Sequence, residues 1–407
     1  MRTTSTETVT VIRARGFSAW LLATIGARLP IAMAPLALVV VAEQATGSYG
    51  FGGALVAAHT VGEIAGSPPM GRLADLWPSR WNLAAVLVLQ GAGFAALSWS
   101  LTMEHPQWLP VVLAVAVGVI AAGVPGALRS RLTQMVPAPA VIKALSIDSA
   151  INQICWAVAP VVVALLAVTA FSSIALLIVA VSPLLAVLAC IALPESGSAP
   201  ETAAGGFVSL ARLLRTTLVL TIVLRLALGI LAVAAIPVFT DADHAGLAGL
   251  ALGLYAAATG TGAVTLGARR PLHRDAQRDV ALLLALLAAV LIPTLLLAYS
   301  VVGLLVVFVL AGFVEGPTVV ALSVHIQDSV PVPWRATGFS VQYAALGVGF
   351  ALGSLALGPL LDVTSPAGAV SAVGAVMFVS ACTVALLRGR EITRSQRNTF
   401  PASTHSE

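Results

Sequence analysis

Two arginines and three carboxylates stand inside long apolar stretches of this chain, and no other residues are better placed to do chemistry. Arg28 lies about ten residues into the first apolar run, and Arg225 about ten residues past Arg215 in the seventh. At the rise of an α-helix each would be about 15 Å deep in a bilayer. A charge at that depth is unfavourable by about 3 kcal/mol or more unless it faces a wet cavity or a counter-ion. The acids available are Glu63, Asp148 and Glu315. A pair of planar guanidinium groups can clamp an anionic or carboxylate-bearing ligand. Equally, each arginine can be neutralised permanently by one of the acids.

Three acids against two arginines leave one carboxyl free to bind and release a proton. Glu315 is expected to be that carrier, because it lies in the middle of its run with no base nearby on the same helix. Glu63 stands one helical turn from His59, which either shares its proton or forms only a local structural hydrogen bond. Asp148, Asn152 and Gln153 make a polar patch, part of which is expected, with Gln342, to face a cavity and bind substrate together with the two arginines. Nothing suggests an enzyme. His273, His325 and His405 are scattered, no H-E-x-x-H or phosphate-binding loop occurs, and no soluble segment is long enough to hold ATP. No catalytic residue, metal site or cofactor is therefore expected. Cys155, Cys190 and Cys382 all fall inside apolar runs and read as packing residues.

The elements that position these residues follow from composition. The chain is 59% hydrophobic and 9% charged, with a mean hydropathy of +1.00 over 407 residues, which places it in a bilayer. Runs of about 20 apolar residues are long enough to span the hydrocarbon core. About twelve occur, near 17–42, 49–71, 82–101, 108–127, 144–168, 171–193, 213–239, 246–268, 279–298, 301–325, 337–358 and 366–388. With an even number of crossings, loops on one side collect the bases, from Arg2, Arg13 and Arg15 through Arg72, Arg80, Arg129, Arg131 and Lys143 to Arg335 and Arg397. The opposite loops carry acids and histidines, among them Glu43, Glu104, His105, Asp241, His244 and Asp362. That asymmetry predicts a multi-pass cell-membrane protein with both termini in the cytoplasm. The net charge of +4 needs no nucleic acid, since anionic lipid headgroups attract the bases.

A polar stretch over 194–212 divides six spans from six. The domains expected are a six-helix bundle over 1–193, this linker, a second bundle over 213–390 and a tail over 391–407. The halves resemble each other. Thr24-Ile25-Gly26-Ala27-Arg28-Leu29 matches Thr221-Ile222-Val223-Leu224-Arg225-Leu226, and Gly50, Gly53, Gly66 and Gly71 pair with Gly246, Gly249, Gly262 and Gly267 at one offset. Val136-Pro137-Ala138-Pro139 recurs as Val330-Pro331-Val332-Pro333, after which Ser146 and Asp148 correspond to Ser340 and Gln342. The expected architecture is all-α, twelve transmembrane helices in two pseudo-symmetric bundles with a site between them.

After the second span the chain reads Gly71-Arg72-Leu73-Ala74-Asp75-Leu76-Trp77-Pro78-Ser79-Arg80. This resembles G-x-L-A-D-R-x-G-R-[KR], the cytoplasmic signature of the major facilitator superfamily, with Leu76, Pro78 and Ser79 in place of Arg, Gly and Arg. The resemblance implies that Gly71, Asp75 and Arg80 belong to a gate that holds the cytoplasmic side shut in one state. Gly267-Ala268-Arg269-Arg270-Pro271-Leu272-His273-Arg274 is similar to a degenerate second copy. Ala157-Val158-Ala159-Pro160 occupies the region where drug/proton antiporters of this superfamily carry a Gly-Pro signature, with Ala159 replacing the glycine. Organophosphate antiporters of the superfamily use an arginine pair similar to Arg28 and Arg225. The resemblance thus implies a monomeric, proton-coupled exporter of a small organic molecule, working by alternating access. The alternative is an importer or exchanger of a small organic anion held by Arg28 and Arg225.

Overall fold

A bilayer leaves the backbone no hydrogen-bond partner but itself, and every regular element among the described residues is accordingly helical. The computed structural model describes residues 2–103, 106–167, 175–195, 206–269 and 276–399. Its α-helices are α1 (Arg2–Ile12), α2 (Phe17–Thr46), α3 (Tyr49–Leu76), α4 (Arg80–Thr102), α5 (Trp108–Ala121), α6 (Val124–Met135) and α7 (Val141–Ala167). They continue as α8 (Ala175–Ile191), α9 (Phe207–Asp241), α10 (Ala248–Arg269), α11 (Ala276–Leu291), α12 (Val301–Ser329), α13 (Arg335–Leu361) and α14 (Pro366–Thr399). Eight segments are long and apolar enough by themselves to cross a membrane, α5 and α6 counting together as one. The four remaining expected spans fall on α3, α8, α10 and α11.

Three local departures from the sequence reading matter. The fourth apolar run does not end near residue 127. The helix breaks at Ala122 and Gly123, where Pro125 on the next turn has no N–H to continue the ladder, and then resumes as α6 to Met135. Arg129 and Arg131, expected in a loop, are therefore helical and largely buried, and so is Lys143 at the start of α7. The ninth run ends early for the same reason: α11 stops at Leu291 and Pro293 sits in a 3-10 turn. An unanticipated helix, α1, precedes the first span; its Val11 is buried in the cluster that holds Val136, Ala140 and Ala144. Glu104, His105, most of the polar linker (196–205), the second loop from Arg270 to Arg274, and the tail end with His405 lie outside the described residues.

The helices α2 to α8 pack together, as do α9 to α14. Glycines set the closest approaches inside each group. A Cβ on Gly62 or Gly66 of α3 would meet the backbone of Val115 or Val119 on α5, at 2.3 and 2.6 Å. In the other half, a Cβ on Gly316 of α12 would lie 2.2 Å from the Thr259 carbonyl of α10. Such contacts are how helices associate in lipid, where burial of apolar surface gives no net drive.

Between the halves, α13 packs on α3 and α6, and α10 and α12 pack on α7. The α3–α13 contact is tightest at the end that carries Arg72, Arg80, Arg131 and Arg335. There Gly71 touches Ser340 and Thr337, and Gly126 touches Ser340 and Ala336. Nearer the middle Gly347 still touches Ile64 at an ordinary 3.5 Å. Toward the acid-bearing end, Gly53 on α3, Gly249 on α10 and Gly358 on α13 have no neighbour within 4 Å of an added Cβ. The halves are closed against each other at the base-rich end.

Candidate functional site

Arg28 on α2 is met by Asp148 on α7. Its Nη2 donates to Asp148 Oδ1 at 2.7 Å and its Nη1 to the Asp148 carbonyl at 2.8 Å. Asp148 is completely buried and serves a second cation, accepting Arg129 Nε at Oδ2 over 2.6 Å. Arg129 then leaves the first half. Its Nη1 donates to Ser323 Oγ of α12 at 3.3 Å, and its guanidinium lies 5.6 Å from the ring centre of Phe339 on α13. Ser323 in turn reaches Gln342 Oε1 at 3.3 Å, while Gln342 Nε2 makes no hydrogen bond within the protein. One polar chain thus runs from α2 to α13 through the centre of the molecule.

The second cluster belongs to the other half. Arg225 Nη1 donates to Glu315 Oε1 at 2.7 Å, and Glu315 Oε2 accepts from Tyr255 Oη and, at 3.2 Å, from Thr259 Oγ1. Glu315 is the carboxyl expected to carry a proton because no base lies near it on its own helix. The structure supplies one from α9 instead, and every oxygen of Glu315 is engaged. Arg225 remains about a quarter exposed, and its Nε is unpaired.

Glu63 is differently placed. Its Oε2 is 3.9 Å from His59 Nδ1, too long for a hydrogen bond, and its Oε1 and His59 Nε2 have no partner. Gly118 of α5 presses against the backbone of both residues, which fixes that stretch of α3. Tyr343 of α13 lies within electrostatic reach of Glu63, Arg28, Arg129 and Arg225. Asn152 and Gln153 are half-buried and bond only weakly to each other, at 3.4 Å.

The two clusters are related. Tyr255 and Thr259 stand to His59 and Glu63 at the offset that pairs Gly66 with Gly262, and Arg225 stands to Arg28 at one residue more. Equivalent helix positions hold polar side chains in both halves, and of these pairs Glu63 and Thr259 alone include a carboxylate.

At the base-rich end Asp75 accepts the backbone N–H of Ala336 at 2.9 Å, that of Thr337 at 2.7 Å and the Thr337 hydroxyl at 2.6 Å. It caps the first turn of α13, whose free N–H groups favour an anion. Arg80, paired with Asp75 in the sequence reading, does not cross between halves. It donates to the Ile191 and Leu193 carbonyls after α8 and meets exposed Glu195 at 3.2 Å. The crossing cation is Arg72, which donates to the Pro333 carbonyl at 2.8 Å and stacks 3.7 Å over Trp334.

Against this geometry the comparisons are decisive for the family. The sequence model of the Major Facilitator Superfamily matches residues 20–353. The chain belongs to the major facilitator superfamily. Solved transporters of this superfamily share the fold. The human organic anion transporter MFSD10 superposes with a TM-score of 0.70 at 15% identity, covering 93% of this chain and 99% of its own. The E. coli fucose:proton symporter gives 0.69 at 16%, covering 92% and 99%. A bacterial homologue of the iron transporter ferroportin, solved in an outward-facing state, gives 0.67 at 16%, covering 91% and 97%. Among curated proteins none matches. Identities this low speak for the superfamily fold alone; what the chain carries rests on its own residues. Of those, Arg129, Tyr255, Thr259 and Tyr343 escape the sequence reading. Arg129 sits past a misplaced helix end, and the others are uncharged. The repeat offset was the available signal for Tyr255 and Thr259.

Proposed function

We propose that this superfamily member is a proton-coupled carrier of a small organic anion, with Glu63 as the proton-binding carboxyl. The charge rule puts the base-rich end in the cytoplasm. The closed contacts of α13 with α3 and α6 then correspond to the outward-facing state of an alternating-access cycle. One observation carries the proposal: Glu63 is the central acid without an arginine. Arg28, Arg129 and Arg225 supply three positive charges, and Asp148 and Glu315 remove two. With His59 neutral, the centre is electrically neutral when Glu63 is ionised and carries +1 when Glu63 is protonated. An anion therefore binds best with the proton on, and anion and proton cross together. Arg225, about a quarter exposed, is the arginine a ligand can reach first, and the buried Gln342 Nε2, Arg28 Nε and Arg225 Nε are donors left without a partner behind it. The organic anion transporter and proton symporter among the structural neighbours have chemistry of the same kind.

A second reading, export of a drug or metabolite in exchange for protons, is favoured by Pro160 inside α7, in the place of the antiporter signature. In that reading a cationic or neutral substrate displaces the proton from Glu63. Binding in micelles separates the two. Melting temperature is followed from pH 5 to 8 with panels of small carboxylates, neutral compounds and quaternary ammonium ions. Stabilisation by a carboxylate that strengthens as pH falls, and that loses its pH dependence in Glu63→Gln, supports anion co-transport. Stabilisation by cations that strengthens as pH rises supports exchange and rejects the first reading.

A further inference from the structure

On the outer face of the first bundle, the seam between α2 and α8 holds a groove of about 610 Å³. Small side chains, Ala19, Gly26, Ala186 and Ala189, form its floor, and the exposed Leu22 and Leu185 stand at its rims. The floor is sealed by helix contact, since a Cβ on Gly26 would lie 2.8 Å from that of Ala186. The Ser182 hydroxyl at its deep end donates to the Gly26 carbonyl at 3.1 Å, so that wall offers no free donor.

Length and charge say what fits there. Along α2 the groove runs from Ser18 to Leu29, the neighbour of Arg28. At 1.5 Å per residue this is about 16 Å, against about 15 Å for one leaflet's half of the hydrocarbon core. Along α8 it ends at Ala192, at the base-rich end. There Gly16 packs on Pro194, and Arg15 and Arg13 immediately precede it in the chain. Both arginines are exposed, and neither has an ion-pair partner among the described residues.

We propose that this groove is a site for an anionic phospholipid of the leaflet at the base-rich end, one acyl chain lying between α2 and α8 and the phosphate held by Arg13 and Arg15. The site is separate from the central clusters and does not depend on what is transported. Small floor residues and leucine rims match a flexible hydrocarbon chain, and a guanidinium pair matches phosphate geometry. Each base near an anionic headgroup contributes enough that two should favour an anionic over a zwitterionic lipid by about thirtyfold.

The test uses the full-length protein in detergent micelles. Phosphatidylglycerol and phosphatidylcholine with identical acyl chains are added in equal amounts, and bound lipid is counted by native mass spectrometry. Wild type should retain one phosphatidylglycerol with about thirtyfold preference. Arg13→Gln with Arg15→Gln, both on the surface and so without cost to the fold, should abolish the preference. Ala189→Phe, which fills the floor, should lower retention of both lipids. Equal retention of the two lipids by wild type, or an unchanged preference in the arginine double variant, would overturn the assignment.

Discussion

Asp148 shows how much a single buried carboxylate can organise, since it neutralises Arg28 on its own side and Arg129 at the boundary with the other half. Removing one partner of a buried ion pair leaves uncompensated charge, at a cost of about 3–5 kcal/mol. Asp148→Ala should therefore lower stability by at least that much, measured by thermal unfolding in micelles. The double change Arg28→Met with Asp148→Leu should recover part of the loss. Glu315→Gln should also destabilise, because Arg225 loses its counter-charge. Glu63→Gln should leave the melting temperature nearly unchanged, since Glu63 makes no hydrogen bond to lose. A large drop with Glu63→Gln would mean that Glu63 is a structural ion-pair partner and not a proton carrier. Arg28 and Arg225 were legible in the sequence because a charge stands out in an apolar run. Which acid each would meet was not, since pairing depends on how helices far apart in sequence pack.

At the scale of elements, the contact that closes the base-rich end rests on the first turn of α13. Asp75 satisfies two backbone N–H groups and one hydroxyl there, and bonds to a charged acceptor are worth about 1.5–3 kcal/mol each. Asp75→Ala should shift the population toward opening at this end by tenfold or more, read as distances between spin labels on α3 and α13. Gly126→Val should act in the same direction, because its side chain would meet the Ala336 carbonyl. Gly53→Ala and Gly249→Ala, with no neighbour, should be silent. Equal effects at all four positions would show that the changes act on folding and not on the gate. The motif made Asp75 legible, but its partners are backbone groups, which carry no sequence signature. Arg72 occupies a variable position of the motif and was invisible for that reason. Helix ends were misread where proline or glycine interrupted an apolar run, at Gly123 and Pro293, because hydropathy continues across a break in the hydrogen-bond ladder.

Over the whole molecule the repeat is the feature that sequence and structure share most fully. Arg28 and Arg225 descend into equivalent helices, and His59 with Glu63 faces the role that Tyr255 with Thr259 takes in the other half. The halves differ in where they keep a carboxylate. The second half locks Glu315 against arginine, tyrosine and threonine; the first locks Asp148 against two arginines and leaves Glu63 open. That asymmetry makes the central charge depend on one proton, and it is the core of the account. It is tested most directly in proteoliposomes loaded with a pH-sensitive dye, to which small carboxylates are added outside, one at a time, with membrane potential clamped. The account predicts that a transported carboxylate acidifies the lumen as proton and anion enter together, faster at lower external pH, and that Glu63→Gln abolishes the acidification. Lumenal alkalinisation on adding a cationic compound, unchanged by Glu63→Gln, would contradict it.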